Sequence, residues 1–189
     1  MLAAFGIHEE LHDLNRFVGP PMRGNFKSCG ISEQDMEIAV VKYREYYAEK
    51  GIFENAVYPG IAELLQNLAN KGKTLAVATN KYALYAEQSL EHFDICKYFS
   101  LVSGDDKDGT LSLGGKSEII RIALDALDPQ RNMTTVMIGD RDQDILGAKA
   151  NGIDSIGLTW GYGSRAELEE AAPTWIVDTP EELYNLIVG

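Results

Sequence analysis

From residue 58 onward, the sequence predicts an α/β fold in which a mostly parallel sheet carries helices on both of its faces. Helical and strand-like patterns alternate along this whole stretch, and repeated strand–helix units of this length imply right-handed crossovers. The strands are short continuous apolar runs such as Thr74–Ala78, which is typical of strands buried on both faces. Polar and acidic residues follow these runs, and ligands of such folds lie beyond the carboxyl ends of the strands.

The first 56 residues show no convincing strand and are predicted to form a small all-helical domain. A turn at Gly19-Pro20-Pro21 separates two helices, because neither proline fits inside a helix. In the second helix Ser32 is the predicted N-cap, apolar residues recur at helical spacing after it, and Gly51 ends it. We therefore predict two domains, residues 1–56 and residues 57–189.

The elements after residue 57 follow one another as strand–helix units. Pro59 opens a helix with one apolar face, and Gly72 closes it. Lys116–Leu127 is the strongest predicted helix, because apolar residues recur along one side of it. The remaining predicted elements, in order, are strand 74–78, helix 82–92, strand 98–103, strand 135–138, helix 144–151, strand 155–159, strand 175–177 and helix 180–188.

The composition excludes several classes of partner. The 189 residues carry 17 basic and 29 acidic side chains, a net charge of −12, and such a surface repels nucleic acid and anionic membranes. No apolar run approaches the ~20 residues of a membrane span, and the N-terminus lacks the pattern of a signal peptide. Cys29 and Cys96 show no pairing pattern, which indicates a reducing compartment. We therefore expect a cytoplasmic protein with neither a nucleic-acid nor a membrane partner.

Thr79, Asn80 and Lys116 lie where a parallel sheet would bind a phosphate group. Thr79 and Asn80 follow the strand 74–78 and precede a helix, so their hydroxyl and amide groups can donate to phosphate oxygens. Lys116 opens the next strong helix after a pair of glycines. Two simpler interpretations stay open: Thr79 as the N-cap of the following helix, and Lys116 as a solvated surface lysine.

Acidic residues cluster at the end of the strand Thr135–Ile138. Gly139 is followed by Asp140, Asp142 and Asp144, and carboxylates this close repel one another unless a cation is present. Magnesium binds through one or two carboxylates together with water and phosphate oxygens, so this cluster predicts a Mg²⁺ site. The alternative is a plain helix N-terminus, where the helix dipole favours acidic residues.

The series Thr79, Lys116 and Gly139-Asp140-x-x-x-Asp144, each following a strand, resembles the motifs of the haloacid-dehalogenase-like (HAD) phosphatases. The resemblance covers nearly the whole chain. The helical first domain with its Gly19-Pro20-Pro21 turn is similar to the small cap of the phosphoglycolate-phosphatase-like branch, and the loop Gly161–Arg165 is similar to a loop of that branch. The resemblance implies a HAD-like Rossmannoid parallel sheet with a small all-helical cap.

The same resemblance implies a magnesium-dependent phosphate-monoester hydrolase that works through an aspartyl-phosphate on a small phosphorylated metabolite or nucleotide. Thr79 would bind the transferring phosphoryl group, and Lys116 would neutralise the nucleophile and the phosphate. Asp140 would bind magnesium, with Asp144 in support. In-line phosphoryl transfer needs such charge compensation from a metal, an ammonium group and neutral donors.

The family also uses a nucleophilic aspartate in an apolar-D-x-D-G-T pattern at the end of its first, central strand, with a second aspartate as general acid and base. This sequence begins inside the predicted cap, so the resemblance implies that this strand and both aspartates are absent. We therefore expect a truncated, inactive form of a longer enzyme. The strands 74–78 and 135–138 would then flank an empty slot, and their unpaired edges invite aggregation or oligomer formation.

The segment Asp106-Lys107-Asp108-Gly109-Thr110 matches D-x-D-G-T letter for letter, but we interpret it as a surface turn. Val102–Asp105 is not expected to form a buried strand that would hold a nucleophile, and Asp105 places a charge where the family has an apolar residue. The resulting motif order matches no circular permutation of the family order. Gly114–Ser117 is not interpreted as a P-loop, and the segment that begins at Asp106 is not interpreted as a calcium loop. In both, residues of the wrong type occupy required positions.

Two alternatives to a hydrolase stay open. A non-catalytic phosphate-binding or regulatory relative would keep Thr79, Lys116 and Asp140 only to hold phosphate. A phosphomutase of the same fold would hold a sugar phosphate beneath its cap. Arg23, which follows the Gly-Pro-Pro turn, is predicted to reach an anionic substrate, although a solvated surface charge explains it equally well.

Overall fold

The computed structural model describes residues 2–8, 10 and 15–189. The chain divides into two units, Met1–Ala56 and Val57–Gly189. These units have the bounds of the two predicted domains, while the role of the first as a cap stays a prediction. Within the described ranges, no helix is long and apolar enough to cross a bilayer.

The first unit is helical, as predicted from the sequence. It contains a 3₁₀ segment at Leu2–Phe5, helix α1 at Met22–Ser28, helix α2 at Met36–Tyr46 and a π-helical segment at Tyr47–Gly51. The Ser32 hydroxyl accepts a hydrogen bond from the Asp35 backbone N–H at 3.2 Å, just ahead of α2. The apolar core of the first unit consists of Phe26, Ile31, Met36, Ala39 and Val40.

The second unit contains five strands and six helices among its regular elements. In chain order these are α3 (Ile61–Asn70), β1 (Ala76–Tyr82), α4 (Ala83–His92), β2 (Leu101–Asp105), α5 (Lys116–Leu127), β3 (Val136–Gly139), α6 (Asp142–Ala150), β4 (Asp154–Leu158), α7 (Arg165–Ala171), β5 (Trp175–Val177) and α8 (Pro180–Val188). The bounds of α5, β5 and α8 agree with the prediction. Helix α7 was not predicted, because it is short and buries little apolar surface, mainly that of Leu168.

All strand pairs are parallel, but the strands form two separate sheets. One sheet has the order β1-β2 and the other has the order β3-β4-β5. In the part of the chain that the structure describes, no strand pairing joins β1 to β3. Helix α5 packs on β1 and β2, α6 packs on β3 and β4, and the two helices pack on each other. The two sheets are therefore connected through helix packing. The expected absence of a central strand between β1 and β3 stays a prediction.

Helices cover both faces of the three-stranded sheet. Ile176 and Val177 are neighbours in β5, so their side chains point to opposite faces. Val177 packs in a cluster with buried leucines of α3 and α8, whereas Ile176 packs against buried residues of α6 and α7. The predicted α/β architecture with helices on both faces is confirmed.

The end of β1 differs from the prediction of a strand at 74–78. Ala78 pairs with Ser103, but the next pair is Tyr82 with Asp105, so β1 contains two extra residues between these pairs. Gly104 makes this bulge possible, because a Cβ atom there would lie 2.7 Å from the Lys81 carbonyl oxygen. Thr79 and Asn80 consequently lie in a bulge within the strand, and not after its end. A bulge of this kind redirects side chains and is common next to functional sites.

The expectation that Val102–Asp105 forms no buried strand is wrong. Strand β2 spans Leu101–Asp105, and its last three residues are buried. Ser103 is accommodated because its hydroxyl donates to the Ile119 carbonyl at 3.0 Å. Asp105 is accommodated because its carboxylate accepts hydrogen bonds from the backbone N–H groups of Asp106 and Ser112. Local hydrogen bonds thus allow polar residues inside a buried strand end.

Candidate phosphate-binding site

Lys116 and Asp144 form a buried ion pair at the carboxyl edge of the sheets. The Lys116 Nζ atom lies 3.0 Å from Oδ1 of Asp144, and the two side chains are only 11% and 6% exposed. Lys116 is the first residue of α5, and Asp144 lies in the first turn of α6. The second oxygen of Asp144 accepts a hydrogen bond from the Arg141 N–H at 3.1 Å. The carboxylate is therefore held from two sides and fixes the position of the ammonium group.

Two glycines create the space for this pair. A Cβ atom at Gly139 would lie 2.3 Å from the Asp144 side chain, so only glycine allows Asp144 to lie over the end of β3. A Cβ atom at Gly147 would lie 3.2 Å from the Cβ of Lys116 and 2.9 Å from Ile120. Glycine at 147 therefore lets α5 and α6 approach closely enough for the two charges to meet.

Asp140 is held by the loop that follows β4. Its Oδ2 atom accepts a hydrogen bond from the Tyr162 N–H at 2.7 Å. On either side of Tyr162, a Cβ atom at Gly161 would lie 2.2 Å from Oδ2 of Asp140, and one at Gly163 would lie 1.9 Å from the Asp140 carbonyl oxygen. The Gly-Tyr-Gly segment therefore lies directly against Asp140. The family resemblance includes this loop but does not predict its contact with Asp140.

Glu167 fixes the segment between Asp140 and Asp144. Its Oε1 atom accepts hydrogen bonds from Nε of Arg141 at 2.7 Å and from the Asp142 N–H at 3.0 Å. Burial raises the pKa of Glu167, but the hydrogen bonds from Arg141 and Asp142 outweigh it, and the pKa lies below its ordinary value. Sequence reasoning missed this residue.

A signal for Glu167 was nevertheless present in the sequence. Ser164 and Glu167 have the spacing of an N-terminal capping box. In the structure the Ser164 hydroxyl accepts the Glu167 N–H at 3.1 Å and caps α7. That pattern predicts the start of α7, whereas the contact of Glu167 with Arg141 and Asp142 depends on the tertiary structure.

Thr79 and Asn80 come from the other sheet. The Asn80 Nδ2 atom donates to Oε1 of Gln143 at 2.6 Å, which joins the bulge of β1 to the first turn of α6. The Thr79 hydroxyl accepts the Lys81 N–H at 3.1 Å, and since this bond uses an oxygen lone pair, the hydroxyl can still donate to a ligand. Gln143, which sequence reasoning missed, therefore brings the predicted phosphate donors of β1 toward Asp144.

Arg23 belongs to the first unit and pairs there with Glu37. Its Nη1 atom lies 2.8 Å from Oε1 of Glu37, and the Arg23 side chain is 24% exposed. The guanidinium group lowers the pKa of Glu37 through this hydrogen bond. A contact of Arg23 with substrate stays a prediction.

The D-x-D-G-T segment after β2 forms a turn, as predicted. The Asp106 carboxylate accepts hydrogen bonds from the Thr110 N–H at 2.8 Å and from the Thr110 hydroxyl. The Thr110 hydroxyl and N–H groups lower the pKa of Asp106. Gly109 has a φ of 73°, and Asp108 is exposed. Asp106 thus closes its own loop.

The predicted magnesium ligands, Asp140 and Asp144, offer carboxylate oxygens, which suit Mg²⁺, but too few to complete its coordination. Asp140 is half-buried with one oxygen bonded to Tyr162, and Asp144 is paired with Lys116. Over residues 2–8, 10 and 15–189, no three His, Cys, Asp or Glu side chains are grouped to hold a metal ion. Asp140 therefore fits a magnesium ion that takes most of its other oxygens from phosphate and water.

Comparison with known proteins identifies relatives over most of the chain. A family model described as haloacid dehalogenase-like hydrolase matches residues 2–158. A 5'-nucleotidase of Pseudomonas aeruginosa is 40% identical over 175 residues, which are 92% of this chain and 78% of the relative. A phosphoglycolate phosphatase of Neisseria meningitidis is 34% identical over 164 residues, which are 81% of this chain and 66% of that protein.

Two further similarities concern a longer protein and a solved structure. The tyrosine-protein kinase PtkA of Mycobacterium tuberculosis is 39% identical over 160 residues, and the chain spans about half of its length (53%). The crystal structure of a predicted phosphatase from Clostridium acetobutylicum has a TM-score of 0.91 and 41% identity, and the match covers 99% of this chain and 86% of that one. The resemblance to the HAD family, predicted from Thr79, Lys116 and the Asp140–Asp144 motif, is confirmed by these matches.

Proposed function

The chain belongs to the haloacid dehalogenase-like hydrolases, and from that premise we propose that its site serves magnesium-dependent hydrolysis of phosphate monoesters through an aspartyl-phosphate. The substrate in this proposal is a small phosphorylated metabolite. Its support is that two relatives of the chain are named 5'-nucleotidase and phosphoglycolate phosphatase.

The buried Lys116–Asp144 pair is the observation that carries the proposal. A phosphate group in this acidic protein needs local positive charge, and Lys116 supplies it at a fixed point. Gln143 lies next to Asp144 and holds Asn80, so neutral donors of β1 are directed toward the same edge. In the proposed complex the Thr79 hydroxyl and the Asn80 amide donate to phosphoryl oxygens, and the Lys116 ammonium compensates their charge.

Asp140 is the proposed magnesium ligand, and Asp144 is proposed to position Lys116. When bound, the ion compensates charge on the phosphoryl oxygens. The loop around Tyr162 restrains Asp140, so its carboxylate is positioned before any ligand binds. Such preorganisation lowers the cost of binding.

We also propose that these 189 residues bind phosphate but do not hydrolyse phosphate esters. The sequence contains D-x-D-G-T once, at 106–110, where the Asp106 carboxylate is occupied by Thr110. That turn favours a second candidate function, a non-catalytic phosphate-binding relative. The hydrolase and the non-catalytic relative can be distinguished with a longer polypeptide that carries an apolar-D-x-D-G-T strand ahead of residue 1. Turnover by that polypeptide would favour the hydrolase.

The binding experiment is calorimetric titration of the 189-residue chain with inorganic phosphate in the presence of Mg²⁺. Lys116→Met should weaken phosphate binding about ten- to a hundredfold, since a charged hydrogen bond is lost. Lys97→Met, which removes an exposed lysine paired with Asp94, is the matched control and should bind as the parent does. Equal binding by parent and Lys116→Met would contradict the proposed site.

Turnover is tested separately with 4-nitrophenyl phosphate and Mg²⁺. We expect no release of nitrophenol above background. Turnover that disappears in Asp106→Asn or Asp108→Asn would show that the turn after β2 supplies the nucleophile, and would overturn this part of the proposal.

The cytoplasm is the proposed compartment. Cys29 and Cys96 are both free thiols, which is consistent with a reducing environment. The edges of β1 and β3, which are not paired with each other, are the surfaces proposed for any self-assembly.

A further inference from the structure

The Gly161-Tyr162-Gly163 segment presents one large side chain beside the proposed phosphate site. Neither glycine can be replaced, because a Cβ atom at either position would overlap with Asp140. The Tyr162 N–H is bonded to the Asp140 carboxylate at 2.7 Å, so the backbone of this residue is fixed relative to the site. The side chain is nevertheless 50% exposed and does not serve to fill the core.

A second tyrosine of the same unit interacts electrostatically with this carboxylate. Tyr58 is 44% exposed. Burial raises the pKa of its phenol, and the charges of Tyr162 and Asp140 raise it further. Tyr58 and Tyr162 are thus two half-exposed aromatic residues that both interact with Asp140.

We infer that Tyr162 is a specificity-determining residue, whose ring receives a planar, apolar leaving group of the phosphate monoester. This inference rests on the proposed function. The strands and helices occupy the space behind the phosphate, so the ester substituent must extend outward from the carboxyl edge, where the loop after β4 lies. Aromatic side chains beside a few fixed polar groups are typical of small-molecule sites, and aromatic rings bind flat groups by stacking.

The charges around the loop argue against a second anionic group on the substrate. Asp140, Asp142 and Glu167 lie in or against the segment that Tyr162 contacts, and the chain has a net charge of −12. A leaving group with its own carboxylate or phosphate would be repelled there. An uncharged aromatic ring gains contact area with Tyr162 without that cost.

Phenyl phosphate and cyclohexyl phosphate are a matched pair of probes for this inference. They carry the same charge and a six-membered ring, but only phenyl phosphate is flat. Calorimetric titration of the 189-residue chain with Mg²⁺ should show that phenyl phosphate binds roughly tenfold more tightly, because stacking on an aromatic side chain supplies about that factor. Phosphate release is followed in the same samples.

Three variants locate the source of this preference. Tyr162→Ala should bring the ratio of the two affinities close to one, and Tyr162→Phe should keep the ratio. Trp175→Ala is the control, since Trp175 is 42% exposed at the start of β5, the opposite edge of the same sheet. It should keep the parent ratio.

The outcomes separate this inference from the function on which it rests. If inorganic phosphate binds but the parent shows no preference for phenyl phosphate, the role of Tyr162 is wrong and the phosphate site remains. The same conclusion follows if Tyr162→Ala keeps the preference, or if Tyr162→Phe loses it. If inorganic phosphate does not bind to the parent, the proposed site itself is wrong.

Discussion

The carboxyl ends of β2 and β3 both carry clusters of aspartates, yet the two clusters are built differently. At the end of β2, Asp105 and Asp106 accept hydrogen bonds from backbone groups no more than seven residues away. These two carboxylates are therefore bonded within their own loop. After β3, Asp140 and Asp144 are bonded to Tyr162 and to Lys116, which belong to other elements of the fold.

This difference separates a motif match at β2 from the proposed site at β3. The β2 loop carries the letters D-x-D-G-T but uses them for a turn, whose geometry depends on local sequence. The β3 end carries a less distinctive pattern, but its carboxylates meet a lysine, a glycine-rich loop and the first turn of a helix. Long-range contacts of this kind hold Asp140 and Asp144 in place relative to other elements, whereas in the β2 turn the Asp106 carboxylate is bonded within its own loop.

Asp144→Ala should have the largest effect on stability. It leaves the Lys116 ammonium, only 11% exposed, without its carboxylate, and breaking a buried pair in this way costs about 3–5 kcal/mol of unfolding free energy. Urea unfolding at pH 7 measures the change. The double variant Lys116→Met/Asp144→Leu should recover most of the loss, because no buried charge remains unpaired. An effect below 1 kcal/mol would mean that the pair is solvated like a surface pair.

Glu167→Gln should have an intermediate effect that depends on pH. At pH 7 the loss of the charged hydrogen bond from Arg141 should lower the unfolding free energy by about 1–3 kcal/mol. Because the pKa of Glu167 is lower in the folded state, its contribution is complete above the unfolded-state pKa of about 4.3 and is lost as the pH falls through the folded-state value.

The measurement for Glu167 is the difference in unfolding free energy between parent and variant across a pH series. We expect this difference to be constant from pH 7 to about pH 5 and to shrink below about pH 4. Glu170→Gln, an exposed acid of the same helix, is the control and should show a flat, small difference. A Glu167 difference that grows as the pH falls would contradict the sign of the pKa shift.

Asp106→Ala should have the smallest effect. It removes an acceptor for the Thr110 N–H in a loop that water can reach, so the unfolding free energy should fall by less than about 1 kcal/mol. Asp106→Asn keeps an acceptor oxygen and should lose less. A loss as large as that of Asp144→Ala would show that the β2 loop supports the fold as strongly as the β3 end does.

Local sequence patterns predicted much of this molecule. The bounds of α5 followed from the helical repeat of its apolar residues, and those of α8 followed from Pro180 and the apolar residues after it. The family resemblance carried by Thr79, Lys116 and Asp140 is confirmed by the matching family model and the relatives. Helix α7 escaped prediction because one buried leucine gives too weak a repeat.

What the sequence determined by itself is the order of residues at the end of β3, where a short apolar run is followed directly by Gly139 and Asp140. What only the tertiary structure decided is which partner each group meets. Asn80 meets Gln143, 63 residues away, and Arg141 meets Glu167, 26 residues away. The physical reason is that a repeat or a turn depends on neighbours within a few residues, whereas these pairs exist only once sheets and helices have packed.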